Sequence, residues 1–138
     1  MMMQDWLLPY ATTIWMLGLM AILMLVQLLV LDVAGIRAGH VPGSAVTGDH
    51  GHFFFRAARA HANTNESIAI FILAALFGIF HNASPWWLNG AAAVYVVARA
   101  AHMLCYYANV PLARSGSFVV ALIALIVMLA AGVGAGFR

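Results

Sequence analysis

The sequence predicts an all-α integral membrane protein, folded as an antiparallel four-helix transmembrane bundle. Of its 138 residues, 65% are hydrophobic and only 7% are charged, whereas a soluble domain carries about 25% charged residues. A spanning helix needs roughly 20 predominantly apolar residues, and four stretches of the chain meet that requirement. Because their connections are short, consecutive helices are expected to pack antiparallel within one domain, residues 1–138.

The first two spans are predicted at about 6–36 and 56–80. Only Gln27 and Asp32 interrupt the first, and it is too long for the apolar core of a cleavable signal. The second has a polar start near Arg56. The intervening residues 38–52 hold four glycines and a proline, which predicts a loop.

The last two spans are predicted at about 86–109 and 113–136. Pro85 suits the first position of a helix, and the two tryptophans that follow suit the membrane interface. Pro111 is expected to end the third span. The glycines of GVGAG, residues 132–136, favour close helix packing; they follow no strand, so they are no dinucleotide motif.

The distribution of arginines predicts the orientation. Arg37, Arg56 and Arg59 flank the first loop and Arg114 lies in the third, whereas Arg138 lies on the other side. The positive-inside rule then makes loops one and three cytoplasmic and both termini periplasmic. A chain rich in alanine, with arginine as its only strongly basic residue and minimal loops, indicates a bacterial inner membrane. Its net charge of +2 does not indicate a nucleic-acid-binding surface.

Polar side chains form a stripe on the second span and another on the third. At 100° per residue, the first stripe falls within about 80° of the helix circumference. Its members are Arg56, Arg59, Asn63 and Glu66. The second stripe consists of Tyr95, Arg99, His102, Tyr106 and Asn109.

Glu66 and Arg99 are expected at membrane depth, where one charge costs about 2.5–3.5 kcal/mol. One interpretation is a structural ion pair between them that fixes the helix register. The other is a cavity for a polar, anionic ligand, because further polar groups follow the same faces. Proton or ion passage along the stripes is a third, weaker interpretation.

Arg114 and Ser115 are predicted at the start of the fourth span. Unpaired N–H groups and the positive dipole end gather at such a position and favour an anion. An arginine and a hydroxyl there could hold a thiolate and lower its pKa. In the alternative, Arg114 snorkels to the interface and Ser115 or Ser117 caps the helix.

The histidines and the cysteine predict no metal site. His40, His50 and His52 lie in a glycine-rich loop without the constrained spacing of metal ligands. Cys105 is the only cysteine, so it forms neither an internal disulfide nor a metal cluster.

Three segments together resemble the MAPEG family, the membrane-associated proteins of eicosanoid and glutathione metabolism. They are RAARAHANTNE at 56–66, ARAAHMLCYY at 98–107 and ARS at 113–115. The length, the four spans and the order of the segments agree over nearly the whole chain. The first segment is the most specific of the three.

The resemblance implies a homotrimer that binds glutathione as co-substrate, without metal, between neighbouring subunits near the cytoplasmic face. It implies that Arg114 stabilises the thiolate, with Ser115 beside it. The implied glutathione-binding residues are Arg56, Arg59, Asn63, Glu66, Arg99, His102 and Tyr106. The implied activity is a glutathione transferase or peroxidase acting on apolar electrophiles or lipid hydroperoxides from the bilayer.

The chain departs from the family pattern in two places, and a second class of function stays open. Ala62 stands where the prostaglandin-synthase branch has an arginine, and the spacing from Tyr106 to Arg114 differs by about a residue. Arg37 matches a possible ligand at the end of the first span. The alternative function is a non-catalytic trimer that binds lipid or acts as a scaffold, with Arg59 and Arg114 on an anionic headgroup.

Overall fold

The computed structural model describes residues 5–137, and within them four long α-helices follow one another. A 3-10 turn, Leu8–Tyr10, leads into α1, Ala11–Arg37. The other helices are α2, Phe53–Phe80, α3, Pro85–Tyr107, and α4, Pro111–Ala135. All four are long and apolar enough to cross a membrane. The predicted fold class, an all-α membrane protein with four spanning helices, is confirmed.

The helix boundaries differ from the predicted ones at the polar end of the bundle. α2 already begins at Phe53, so the phenylalanines before Arg56 belong to the helix. α3 ends at Tyr107, and Asn109 therefore leaves the third-span stripe. Pro111 opens α4 instead of ending α3, because a residue without an N–H suits the first helical turn. Arg138, used in predicting the orientation, lies outside the described residues.

Three of the four helices end in the same capping motif, which makes tight turns possible. Gly39, Asn82 and Asn109 follow α1, α2 and α3 with φ of 66°, 54° and 57°. In each case the next N–H bonds back five residues, as in Val110 to the carbonyl of Cys105 at 2.9 Å. This is the Schellman arrangement. It provides hydrogen-bond donors for carbonyls in the last turn of each helix, which lipid could not supply.

The helices pack around α2 and α3, with the most extensive contact between α3 and α4. α2 contacts all three other helices, whereas α1 and α4 scarcely touch each other. Phe71 and Tyr95 stack in the core with ring centroids 4.4 Å apart. A Cβ at Gly132 would lie 2.5 Å from the Phe77 ring, so close packing of α4 on α2 requires glycine there, as GVGAG indicated.

The end of the bundle near the α2–α3 turn is held by a satisfied set of hydrogen bonds. The Tyr10 hydroxyl donates to the Ala83 carbonyl at 2.7 Å. Asn89 Oδ1 accepts from the Thr13 amide at 3.0 Å and from its hydroxyl at 2.7 Å. The side-chain amide of Asn89 donates to the Pro9 carbonyl at 2.8 Å. These bonds fix the start of α1 against α3, far along the bundle from the polar stripes.

Asn109 should matter through its backbone conformation. Asn109→Ala should lower stability by about 1 kcal/mol, because alanine strains a positive φ, whereas Asn109→Gly should be neutral or slightly stabilising. Thermal unfolding of both variants in detergent checks the pair. Equal loss in both variants would show that the amide side chain, not φ, matters.

Candidate functional site

The α2 stripe lies partly on the surface of the single chain. Arg59 and Glu66 are exposed, and Asn63 between them is half-buried. The Asn63 amide donates to Glu66 Oε2 at 3.4 Å. No hydrogen bond within residues 5–137 involves the Arg59 guanidinium, so this cation remains available to a ligand.

Arg99 lies in the interior, behind this stripe. It is 1% exposed, and its guanidinium donates to Asn63 Oδ1 and to the Thr64 hydroxyl, both at 2.9 Å. Thr64 in turn donates to the Ala60 carbonyl at 3.1 Å. Two neutral oxygens on α2 therefore hold a charged group of α3.

The direct ion pair predicted between Glu66 and Arg99 is not formed. Within residues 5–137, the only close contact between a basic side chain and a carboxylate joins His52 and Asp49, at 3.1 Å. Arg99 points into the bundle while Glu66 stays on its surface. Asn63 reaches both and bridges them, so an amide relay replaces the ion pair.

A second group of side chains packs around the Tyr106 ring near the end of α3. The Arg114 guanidinium carbon lies 4.7 Å from the centroid of the Tyr106 ring. His102 meets this ring edge-on at 5.0 Å, and His50 lies nearly parallel to it at 6.2 Å. We call Tyr106, His50, His102 and Arg114 the tyrosine cluster. It brings three basic side chains from the loop, α3 and α4 to one aromatic ring.

Arg56 belongs to the α2 stripe by its helical position, but its guanidinium is engaged within the protein. It donates to the His50 carbonyl at 2.6 Å and to the Tyr107 carbonyl at 3.4 Å, and its guanidinium lies 5.6 Å from the Phe53 ring. Arg56 thus ties the first loop to the end of α3. Two nitrogens of its guanidinium are engaged within the protein.

Arg114 and Ser115 do not sit at an open helix end. The residue preceding the first turn of α4 is Val110, without a side-chain cap, and the Arg114 N–H bonds to its carbonyl at 3.1 Å. Ser115 and Ser117 donate to the carbonyls of Pro111 at 3.1 Å and Arg114 at 2.9 Å. The predicted free N–H groups at Arg114 are absent, and neither serine caps α4, because the helix starts earlier than predicted.

Buried donors without partners are a further feature of this end. In the part of the chain that the structure describes, Arg56 Nε, Arg99 Nε and His102 Nδ1 are buried and make no hydrogen bond. Arginine nitrogens only donate, and His102 Nδ1 donates in one tautomer. Unsatisfied buried donors are costly. This end of the bundle can therefore bind a ligand or water that supplies hydrogen-bond acceptors.

Sequence reasoning missed Thr64 and His50. Thr64 shares the buried face of α2 with Ala57 and Ala60, and that spacing was a usable signal. His50 lies in a loop without periodicity, so no local pattern could place it on Tyr106.

Four apolar helices with basic and hydrogen-bonding groups gathered at one end define an integral membrane protein with a polar site built from several helices. The family model described as MAPEG family matches residues 10–134. The chain therefore belongs to the MAPEG family, and the resemblance found in the sequence is confirmed. No curated protein matches the chain.

Thr64 should contribute to stability through Arg99. Thr64→Val keeps the shape and removes the acceptor of the buried guanidinium, which should cost about 1–2 kcal/mol. Thermal unfolding in detergent measures this loss. Thr12→Val, at an exposed position of α1, is the matched control. Similar small shifts in both variants would contradict the role assigned to Thr64.

The first loop should respond to acid through Asp49. Its carboxylate accepts from the Gly51 N–H at 2.8 Å and from His52 at 3.1 Å, and these bonds hold the Asp49 pKa below its ordinary value. Because the folded pKa is depressed, the loop contacts are complete above the ordinary aspartate pKa and are lost as pH falls through the lowered value. The NMR shift of the Gly51 amide should titrate there; a midpoint at or above the ordinary pKa would refute this.

Proposed function

We propose that the protein is a membrane glutathione transferase or peroxidase. The observation that carries the proposal is the Arg114 guanidinium held 4.7 Å from the Tyr106 ring centroid at the polar end of a MAPEG-family bundle. A cation fixed at this end can stabilise an anion formed there. Thiolates are such anions, and they are the reactive form of thiols.

The α2 stripe offers complementary groups for the rest of a glutathione molecule, which carries two carboxylates and one ammonium group. Exposed Arg59 suits a carboxylate, and exposed Glu66 suits the ammonium. Asn63 is held between Glu66 and Arg99, so its amide orientation is fixed. Arg99 itself is buried, and we assign it the positioning of Asn63 instead of direct contact with the ligand.

The proposed chemistry is nucleophilic attack by the thiolate. Its sulfur forms a bond to an electrophilic carbon and displaces a leaving group with its electron pair. Alternatively, it attacks a hydroperoxide oxygen, the O–O bond breaks and the alcohol leaves after protonation; a second thiol then reduces the resulting sulfenic acid to a disulfide and water. Arg114 stabilises the negative sulfur before attack. The apolar second substrate reaches the site from the bilayer.

A neighbouring subunit completes the site in this proposal. Arg59 and Glu66 are exposed on the single chain, and charged side chains at membrane depth normally face protein or a water-filled cavity. We therefore place glutathione between subunits of a homotrimer. Arg37, Arg56, Arg59 and Arg114 mark the polar end as cytoplasmic in a bacterial inner membrane, with the termini periplasmic.

Arg114 should be required for thiol activation and Ser115 should not. Arg114→Met should lower thiol consumption about 100-fold or more with an aryl halide or cumene hydroperoxide, because one electrostatic donor is lost. Ser115→Ala should change it little, since this hydroxyl is bonded to the Pro111 carbonyl. Turnover by the wild-type protein no faster than the uncatalysed reaction in both assays would refute the enzymatic proposal.

The engagement of Ser115 favours one competing function. With that hydroxyl satisfied inside α4, Arg114 has no hydroxyl partner dedicated to a thiolate, and a lipid-binding or scaffold trimer needs none. Arg59 and Arg114 would then hold an anionic headgroup. Calorimetry distinguishes the two functions: glutathione binding supports the enzyme, and binding of anionic lipid without glutathione supports the lipid-binding protein.

A further inference from the structure

The loop between α1 and α2 delivers a histidine to the tyrosine cluster. The His50 ring lies nearly parallel to that of Tyr106, with an interplanar angle of 15°. His50 is an exposed residue, so the imidazole can reach an incoming molecule. The neighbouring His52 bonds instead to Asp49.

Several contacts fix the position of His50. Arg56 holds its carbonyl at 2.6 Å, and Phe55 meets its ring edge-on with centroids 5.2 Å apart. These contacts involve the start of α2 and not the imidazole nitrogens. The ring is therefore held in place while both its nitrogens stay available for proton exchange.

We propose that His50 is the proton acceptor for the thiol of the bound ligand. In this step the S–H bond breaks, its electron pair stays on sulfur as the thiolate beside Arg114, and an N–H bond forms on the His50 imidazole. The inference rests on the proposed function, because it assumes that a thiol binds at the tyrosine cluster.

The other titratable groups around His50 are less suited to this step. Asp49 is engaged with Gly51 and His52. Arg56 on α2 and Arg114 on α4 carry guanidinium groups, which donate hydrogen bonds and offer no acceptor atom. The phenol oxygens of Tyr106 and its neighbour Tyr107 on α3 are much weaker bases than an imidazole nitrogen. Imidazole is the side chain that ordinarily exchanges protons near neutral pH.

His102, the other imidazole of the cluster, is the closest competitor. It is 3% exposed, and its Nδ1 is buried without a partner. Its edge packs on Tyr106 and its ring lies 6.1 Å from that of Phe118. The buried His102 ring therefore forms part of the wall of the site. His50 is exposed, so it can receive a proton and pass it to water.

Rapid mixing of glutathione with the purified full chain tests the proposal, by following the ultraviolet absorbance of the thiolate across pH. The wild-type rate should rise with pH, because only a neutral ring can accept the proton. His50→Gln should form thiolate about 100-fold more slowly and lose this rise. Free imidazole should accelerate His50→Ala.

His52→Gln is the matched control and should keep the wild-type rate and pH profile. Affinity for S-methylglutathione, which has no thiol proton, should be unchanged in His50→Gln. Thiolate formation in His50→Gln at the wild-type rate, or an equal loss in His52→Gln, would overturn the inference alone. A wild-type protein that binds no glutathione and forms no thiolate would overturn the proposed function and this inference with it.

Discussion

The structure of the polar end of the bundle depends on the hydrogen bonds made by one buried guanidinium within the membrane. Arg99 is 1% exposed, and a charge at that depth costs about 2.5–3.5 kcal/mol even on the milder insertion scales. Asn63 and Thr64 supply two oxygens from adjacent positions of α2. These bonds set the register of α2 against α3, so every side chain placed by those two helices depends on them.

The two groups of polar side chains, the Asn63 relay and the tyrosine cluster, are built from different parts of the chain. The Asn63 relay is internal to α2 and α3, and it leaves Glu66 and Arg59 facing outward. The tyrosine cluster collects side chains from the loop, α3 and α4 on one ring. Arg56 stands at the junction, since its two bonds join the loop to the end of α3. A change in the loop would therefore reach α2 and α3 together through this one side chain.

Composition and periodicity were sufficient to predict the four helices and the faces of their polar residues. They could not predict that an amide would stand between Glu66 and Arg99, because helix faces give direction but not the rotation of a long side chain. Pro111 is ambiguous in a sequence: proline ends one helix as readily as it begins the next. His50 depends on a loop path with no repeating pattern, so only the tertiary structure places it.

The two ends of the bundle also differ in how completely their hydrogen bonds are made. The side chains of Tyr10, Thr13 and Asn89 have hydrogen-bond partners, whereas the opposite end retains the unpaired donors of Arg56, Arg99 and His102. Such local frustration is characteristic of functional regions. Unmet hydrogen-bonding capacity is thus polarised along the bundle: the named groups at one end are bonded within the protein, and the other end keeps donors that a guest molecule or water can occupy.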